Sequence, residues 1–404
     1  MEILRILLLF IFALIPFGQI VRVSVYPGVS IAPLDIIVAI FTISLATYSI
    51  VHKVKIRFEL YHIFFLAFYI VGTVSLLFHY QDLTSNQFLS SLVYGIRFLF
   101  YILPLFFMPL ILQKHNKSMI PELSIVGFIF VLFGILQYIF LPRLELLAFL
   151  GEWDIHSYRL FSTFFDPNYA GLFIIFEILL LLMSISIYPK TSKIFMGMIV
   201  ISYIALFLTF SRSSIVTVGV SMIFYLLLIG KKKLVGFFLC FLLLSIGLLF
   251  LYSKNFSGEG VKILRTVSIQ MRLSSYQEGL KVFSGSPIFG VGFNSYKYAK
   301  NNYTELTRAE AVSNASNAPS NSFIFILATT GMLGFLCFGF FIVMLLKILF
   351  LKYKESKDKR IYSGAMAIIL ALLINSLFQN SLFYSPIVLV FALVIGGVLS
   401  YSRE

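Results

Sequence analysis

Charged residues are scarce in this chain. The 404 residues include only 12% Asp, Glu, Lys and Arg, against 60% hydrophobic residues. Soluble globular proteins carry about 25% charged and about 45–50% apolar residues. The mean hydropathy of +0.98 is correspondingly high. This composition excludes a soluble enzyme, a nucleic-acid-binding module and a disordered protein, and it predicts a polytopic membrane protein.

The chain is also poor in residues that hold metals and cofactors. It has 2 cysteines and 5 histidines, and no H-x-x-H, C-x-x-C or Walker motif occurs. Cys240 and Cys337 both fall in apolar runs, where cysteine is typically a small packing residue. Since zinc sites and P-loop nucleotide sites are built from such motifs, we expect no metal, no other cofactor and no ATP hydrolysis.

Long apolar runs make up most of the sequence. A membrane-spanning helix needs about 20 predominantly apolar residues. Runs of this kind predict an all-α polytopic bundle of about twelve spans. The predicted spans are residues 3–20, 32–51, 60–78, 88–112, 119–141, 168–188, 194–209, 214–229, 234–252, 321–346, 361–379 and 384–401.

The net charge of +14 is divided unevenly between alternate loops. One set of loops is rich in Lys and Arg, as in Lys231–Lys233 and the run from Lys347 to Arg360, whereas the other set of short loops holds few. The positive-inside rule places the first set and both termini in the cytoplasm. On this topology 18 of the 31 basic residues are cytoplasmic and 12 face outward.

One long polar stretch divides the chain into three parts. Residues 1–252 hold the first nine predicted spans, residues 253–320 form an extracytoplasmic loop before the tenth span, and residues 321–404 hold the last three. Residues 271–283 have helical spacing, and Ser286-Pro287 ends the pattern. We therefore expect a folded cap rather than a disordered loop.

Ionisable residues within the spans are rare and costly. Arg97 and Glu177 fall at similar depths in the fourth and sixth predicted spans, so we expect them to form an ion pair beneath the outer face. The alternative is a pair that only stabilises the bundle. Asp35 follows Pro33 at the start of the second span, where a carboxylate favours the helix N-terminus.

The predicted outer face carries four polar motifs, and three of them contain arginine. Helix capping explains Asp166-Pro167-Asn168 and Ser320-Asn321 locally, and snorkelling to the interface is an alternative for Arg212. Arginine, however, presents a charged fork that suits phosphate oxygens. The arginines together predict a site for an anionic diphosphate. The motifs are Arg159 with Asp166-Pro167-Asn168; Thr209-Phe210-Ser211-Arg212; Arg272 with Tyr276, Glu278 and Gly279; and Ser320-Asn321-Ser322.

These motifs resemble the O-antigen ligase and O-antigen polymerase family of bacterial envelope glycosyltransferases. The resemblance runs from about residue 155 to 335 and includes Pro287-Ile288-Phe289-Gly290-Val291-Gly292 and Gly331-Met332-Leu333-Gly334. It implies a multi-pass protein of the bacterial cytoplasmic (inner) membrane that moves a glycan from undecaprenyl diphosphate to an acceptor at the outer face. Its partners would be the lipid-linked oligosaccharide, the bilayer, and a chain-length regulator and flippase of the same pathway.

The resemblance also implies roles for residues. Arg212 and Arg272 would bind the diphosphate as catalytic residues. From their positions in the motifs we expect substrate-binding roles for Arg159, Asp166, Asn168, Ser211, Tyr276, Glu278, Ser320 and Asn321. The ligases usually carry His in a run that reads Ala318-Pro319-Ser320-Asn321 here, and no His lies in the outer loop. This departure favours a polymerase of capsule, exopolysaccharide or O-antigen repeats. Glu310 is then the first candidate for a general base, followed by Glu305 and Glu278.

Two other functions remain open at this point. A ligase would use the same donor and a different acceptor. A flippase or other secondary transporter would carry polar groups along a midplane cavity instead of at one membrane face.

Overall fold

A computed structural model describes residues 2–26, 29–54, 58–112, 119–143, 156–256, 259–262, 266–302 and 318–401. Within these residues, eight helices are long and apolar enough to cross a membrane. The predicted class, an all-helical polytopic membrane protein, is confirmed, while the count of twelve spans stays a prediction.

Fifteen helices and one small hairpin form the described part of the chain. The hairpin consists of β1, Val23–Tyr26, and β2, Val29–Ile31, which pair antiparallel. In chain order, α1 to α15 are Glu2–Leu14, Pro33–Val51, Leu60–Phe78, Ser85–Ile102, Pro104–Leu112, Ile120–Phe140, Pro167–Ile187, Ser192–Leu208, Arg212–Leu228, Lys232–Ser253, Val267–Gly285, Tyr296–Ala299, Ser322–Glu355, Lys359–Asn375 and Ser385–Ser400.

Each predicted span coincides with one helix or two consecutive helices, but several predicted boundaries differ from the helix ends; α13, for example, continues to Glu355, beyond the predicted end at residue 346. The first helix ends at Leu14, because a 3₁₀ turn at Ile15–Phe17 and Gly18 with a φ of 52° turn the chain into the hairpin. The fourth span is two helices, α4 and α5, which meet at Pro104. Proline has no backbone N–H to continue the helical ladder, so a break is expected there.

Helix α7 lies at the centre of the bundle. It is buried on nearly every face and packs against α6, α8 and α14. Helix α3 runs along α13, and α15 packs against α5. In contrast, α10 is mostly exposed and apolar, which is typical of a helix that faces lipid. The loop predicted at 253–320 contains α11 and α12, and α11 packs on α13.

Helix α13 is interrupted at Gly331, which has φ 64° and ψ −170°. The segment from Pro287 to Gly292 supplies the missing partners. Val291 N and Gly292 N donate to Ala328 O and Thr329 O, both at 2.9 Å, and Met332 N donates to Pro287 O at 2.9 Å. Irregular backbone at membrane depth is tolerated only where protein groups satisfy it. The glycine-rich motif therefore joins the cap to the bundle.

Substituting Gly331 with alanine should destabilise the protein. The backbone at Gly331 lies in a region that essentially only glycine adopts and that costs a residue with a Cβ about 1–3 kcal/mol, and the new Cβ would meet the Ile288 carbonyl. We expect Gly331→Ala to lower the melting temperature of the detergent-purified protein by several degrees. Gly339→Ala lies on the same helix with open space around it, so it should melt at or above the wild-type temperature. Equal losses from both variants would contradict this account.

Candidate functional site

Three helices begin at the predicted motifs, and side chains of those motifs cap them. Asp166 caps α7: its Oδ1 accepts from the N–H groups of Asn168 at 2.6 Å and Tyr169 at 3.2 Å. Ser211 caps α9, and Asn321 caps α13 through bonds of 2.8 and 3.1 Å. The capping interpretation of Asp166 and Asn321 is confirmed, and Ser211 has the same role without having been predicted to cap, since each accepts from N–H groups that the first helical turn leaves open.

Side-chain hydrogen bonds bring these helix starts together at one end of the bundle. Ser211 Oγ donates to Asn168 Oδ1 at 2.9 Å, which joins α9 to α7. Asn321 Nδ2 donates to Leu377 O at 3.2 Å, and Gln379 Nε2 donates to Asp166 Oδ2 at 3.3 Å. The turn between α14 and α15 thus connects the motif of α13 to that of α7.

Helix α11 lies across this end and presents a stripe of side chains to it. Ser268, Arg272 and Tyr276 are four residues apart, so they share one helix face. Ser268 Oγ accepts a hydrogen bond from Arg212, and Tyr276 Oη donates to Leu377 O at 2.6 Å. Arg272 stands between these two contacts. The structure therefore brings Arg212 and Arg272 to the same site.

The two guanidinium groups lie within electrostatic reach of each other. Burial lowers the pKa of Arg272; Tyr276 opposes this shift, Arg212 adds to it and Asp166 opposes it. Among the described residues, Arg272 makes no hydrogen bond or ion pair. Arg212 is the first residue of α9, where the helix dipole is positive and disfavours a cation. Both features favour an anion at this place.

Tyr276 belongs to the same site and responds to Arg272. Partial burial raises the pKa of its phenol, and the positive charge of Arg272 opposes that shift. The hydroxyl stays protonated near neutral pH and can therefore donate a hydrogen bond.

Arg159 has a different environment from the other two arginines. Only 4% of its surface is exposed, and its Nε donates to Thr209 O at 2.9 Å. The next residue, Leu160, donates its N–H to Leu208 O at 2.8 Å. Both carbonyls belong to the end of α8, where a cation and extra donors are favourable. Arg159 therefore supports the backbone beneath Arg212.

The remaining predicted residues lie around the edge of the site or outside the described residues. Glu278 forms an ion pair of 2.7 Å with Lys300, which is buried. The Ser320 N–H donates a hydrogen bond to Ser275 Oγ, on α11 of the cap, at 3.0 Å. Glu310 and Glu305 lie outside the described residues.

The expected ion pair between Arg97 and Glu177 is wrong. Arg97 instead contacts Asp35, with Nε 2.7 Å from Oδ1. Asp35 also accepts from Tyr101 Oη at 2.6 Å and from Ala32 N at 2.7 Å, which confirms its role at the start of α2. Glu177 is buried against an apolar cavity and has no hydrogen-bond partner among the described residues. The similar depth of Arg97 and Glu177 in their helices did not show whether those helices face each other.

Several residues of the site were missed in the sequence. Gln379 reaches Asp166, and Tyr384 stacks on Tyr169 with ring centroids 4.0 Å apart. Lys300 pairs with Glu278. The sequence feature that could have revealed them is the polar turn at 376–384. This turn contains Gln379 and Asn380 and separates two apolar runs, but it carries no charge.

These features define a class: a multi-pass helical membrane protein with two neighbouring arginines, Arg212 and Arg272, at one end of its bundle. Residues 197–339 match the family model described as O-antigen ligase. That range includes Arg212, Arg272 and Gly331, so the chain contains an O-antigen ligase/polymerase-like domain and the predicted resemblance is confirmed. Proteins of this family act on lipid-linked oligosaccharides in a membrane. Comparison with curated proteins finds no match.

Asp166 provides a test of the cap that positions the site. Asp166→Ala removes the acceptor for two N–H groups of α7, which should cost about 1 kcal/mol and lower the melting temperature. Asp166→Asn should melt close to wild type, because asparagine caps helices as well as aspartate does. Thr266→Ala is the matched control, since Thr266 precedes α11 without a side-chain cap bond. A loss in the Asn variant equal to that of the Ala variant would refute the capping role.

Proposed function

We propose that the protein polymerises lipid-linked oligosaccharide repeat units by glycosyl transfer from undecaprenyl diphosphate at the outer face of the bacterial cytoplasmic membrane. The observation that supports this most directly is the pairing of Arg212 and Arg272 at one site, with mutual repulsion and no anion among the described residues close enough to form an ion pair with Arg272. A diphosphate headgroup matches this charge and the fork geometry of arginine.

In the proposed reaction, a hydroxyl oxygen of the acceptor repeat attacks the anomeric carbon of the growing chain. The new glycosidic C–O bond forms while the bond from the anomeric carbon to the diphosphate oxygen breaks. Negative charge develops on the departing undecaprenyl diphosphate, where Arg212 and Arg272 stabilise it. Arg159 assists by holding the Thr209 backbone. The acceptor proton goes to a carboxylate, for which Glu310 is our candidate.

Substrate positioning falls to the polar groups around the arginine pair. Tyr276 and Asn321 meet at the Leu377 carbonyl, and Asn168 and Ser211 bond to each other on the opposite helices. The negative charge of Asp166 opposes the lowering of the Arg272 pKa that burial causes. The concentration of these groups at one end of the bundle supports surface chemistry over transport.

Ligation of the glycan to a different acceptor is the second candidate function. The matching family model is described as O-antigen ligase, and both reactions use the same donor and leaving group. The run Ala318-Pro319-Ser320-Asn321, which lacks histidine, supports the polymerase. Purified protein supplied with one defined lipid-linked repeat distinguishes them, because a polymerase makes a ladder from that substrate alone.

Replacing either site arginine should abolish long polymer. We expect Arg212→Ala and Arg272→Ala to lower the rate by at least about 100-fold, because charge on the leaving diphosphate is no longer stabilised. The Lys variants should also be poor, since lysine lacks the planar fork. The measurement is the product ladder from purified protein and a defined lipid-linked repeat, with and without chelator.

Lys281→Ala is the matched control for these variants. Lys281 is an exposed cation on the same helix as Arg272, so its loss should leave the ladder unchanged. Normal ladders from the Arg212 or Arg272 variants would exclude the proposed site. Inhibition by chelator would exclude a mechanism that relies on arginine without metal.

The candidate base is tested separately. Glu310→Gln should slow chain growth by about 10²–10⁴-fold, because the amide cannot take the proton of the acceptor hydroxyl. Glu305→Gln is the comparison variant on the same segment. An unchanged rate in Glu310→Gln would assign the proton to another acceptor.

A further inference from the structure

A second group of cations surrounds Tyr94 on α4, away from Arg212 and Arg272. Arg22 donates to Tyr94 Oη at 3.1 Å, and Lys297 Nζ lies 5.9 Å from the centre of the Tyr94 ring. The Arg97 guanidinium lies 5.6 Å from the same ring. Three cations from the α1–α2 connection, α4 and the cap therefore meet at one aromatic side chain. We call this group the Tyr94 cluster.

Only one of the three charges is balanced. Asp35 pairs with Arg97 at 2.7 Å, whereas neither Arg22 nor Lys297 forms an ion pair among the described residues. Arg22 Nε is buried and lacks a hydrogen-bond partner in the same part of the chain. Close, partly buried like charges repel one another unless an anion lies between them.

The Tyr94 hydroxyl is also set up to donate. Its oxygen accepts from Arg22 at 3.1 Å and from Ser30 N at 3.4 Å. These two donors occupy the oxygen and leave its own hydrogen for a ligand. Two cations and a hydroxyl donor around one position are the chemistry of a phosphate site.

A continuous line of contacts connects this cluster to the first site. Arg22 donates to Gln19 Oε1 at 3.3 Å, and Gln19 Nε2 donates to Tyr384 Oη at 3.1 Å. Tyr384 stacks on Tyr169, whose N–H bonds to Asp166. Two cationic sites therefore lie along the same end of the bundle with a polar and aromatic surface between them.

We propose that the Tyr94 cluster binds the diphosphate of a second polyprenyl-linked substrate, the acceptor. This inference rests on the proposed polymerase function. An acceptor repeat reacts through a hydroxyl on its sugars while its own diphosphate remains attached. Its diphosphate must therefore be held apart from the donor diphosphate, with the oligosaccharide lying between them. The Tyr94 cluster provides such a second, separate diphosphate site. An acceptor without a diphosphate would not need one.

Binding stoichiometry tests the second site directly. Wild-type protein in nanodiscs of neutral phosphatidylcholine is titrated with undecaprenyl diphosphate, and bound equivalents are counted by native mass spectrometry. We expect two equivalents for wild type and one for the Arg22→Gln/Lys297→Gln double variant. The Arg212→Gln/Arg272→Gln variant should also bind one, and the combination of all four substitutions none. Lys281→Gln is the control and should bind two.

Steady-state kinetics provide a second measurement. A purely structural role of these residues would not change the KM for the acceptor alone. Arg22→Gln and Lys297→Gln should each raise the KM for the lipid-linked acceptor by about tenfold or more. The KM for the donor should not change, nor should transfer to a soluble oligosaccharide acceptor that lacks diphosphate. Tyr94→Phe keeps the ring and loses the hydroxyl donor, so it should raise the KM for the acceptor by a smaller factor. This variant tests the site without a change of charge, in case the charge variants misfold.

The source of the anion is distinguished by competition. Nanodiscs that contain phosphatidylglycerol should not displace the second equivalent; displacement by this anionic lipid would overturn the acceptor site in favour of a general anion site. Two bound equivalents in Arg22→Gln/Lys297→Gln, or an unchanged acceptor KM, would overturn it as well. Absence of polymer from wild type would instead refute the proposed function, whatever the stoichiometry.

Discussion

The backbone exchange at Gly331 is the interaction on which the site depends. In a bilayer core, a broken helix must find hydrogen-bond partners within the protein. Here the Pro287–Gly292 segment supplies them, with three bonds of 2.9 Å. This exchange fixes the end of α11 against α13, and α11 carries Arg272 and Tyr276. A local requirement of the backbone therefore sets the position of side chains that lie far from it.

The site combines repulsion between positive charges with hydrogen bonds that hold the helix ends in place. The positive charge of Arg212 is disfavoured by the dipole of α9 and by the charge of Arg272, whereas Asp166 caps the start of α7 and Arg159 donates to the end of α8. This division is physically reasonable, because capped ends hold the reactive groups in place while the unbalanced charges remain for a ligand. In the proposed reaction the departing diphosphate gains negative charge, so the positive field that binds the substrate would stabilise the leaving group more strongly.

Under the proposed function, one scaffold would serve both polymerases and ligases. The donor half of the reaction would use the arginine pair, which lies within the segment matching the O-antigen ligase model. The acceptor half would use surfaces contributed by the N-terminal hairpin, α4 and the cap. The Tyr94 cluster belongs largely to those elements, two of which, the hairpin and α4, precede the matched segment. Differences in acceptor can therefore arise without changes around Arg212.

Composition and apolar periodicity determined the membrane class, the positions of the helices and the polar end that contains the motifs, because lipid requires long apolar helices and concentrates polar residues at their ends. The pairing of side chains between helices was decided by tertiary structure. Arg97 pairs with Asp35 and not with Glu177. Arg159 donates to the backbone at the end of α8. Gln379 and Tyr384 belong to the site although they lie in an uncharged turn. Helix rotation and neighbour choice arise from packing over the whole bundle, which no single stretch of sequence encodes.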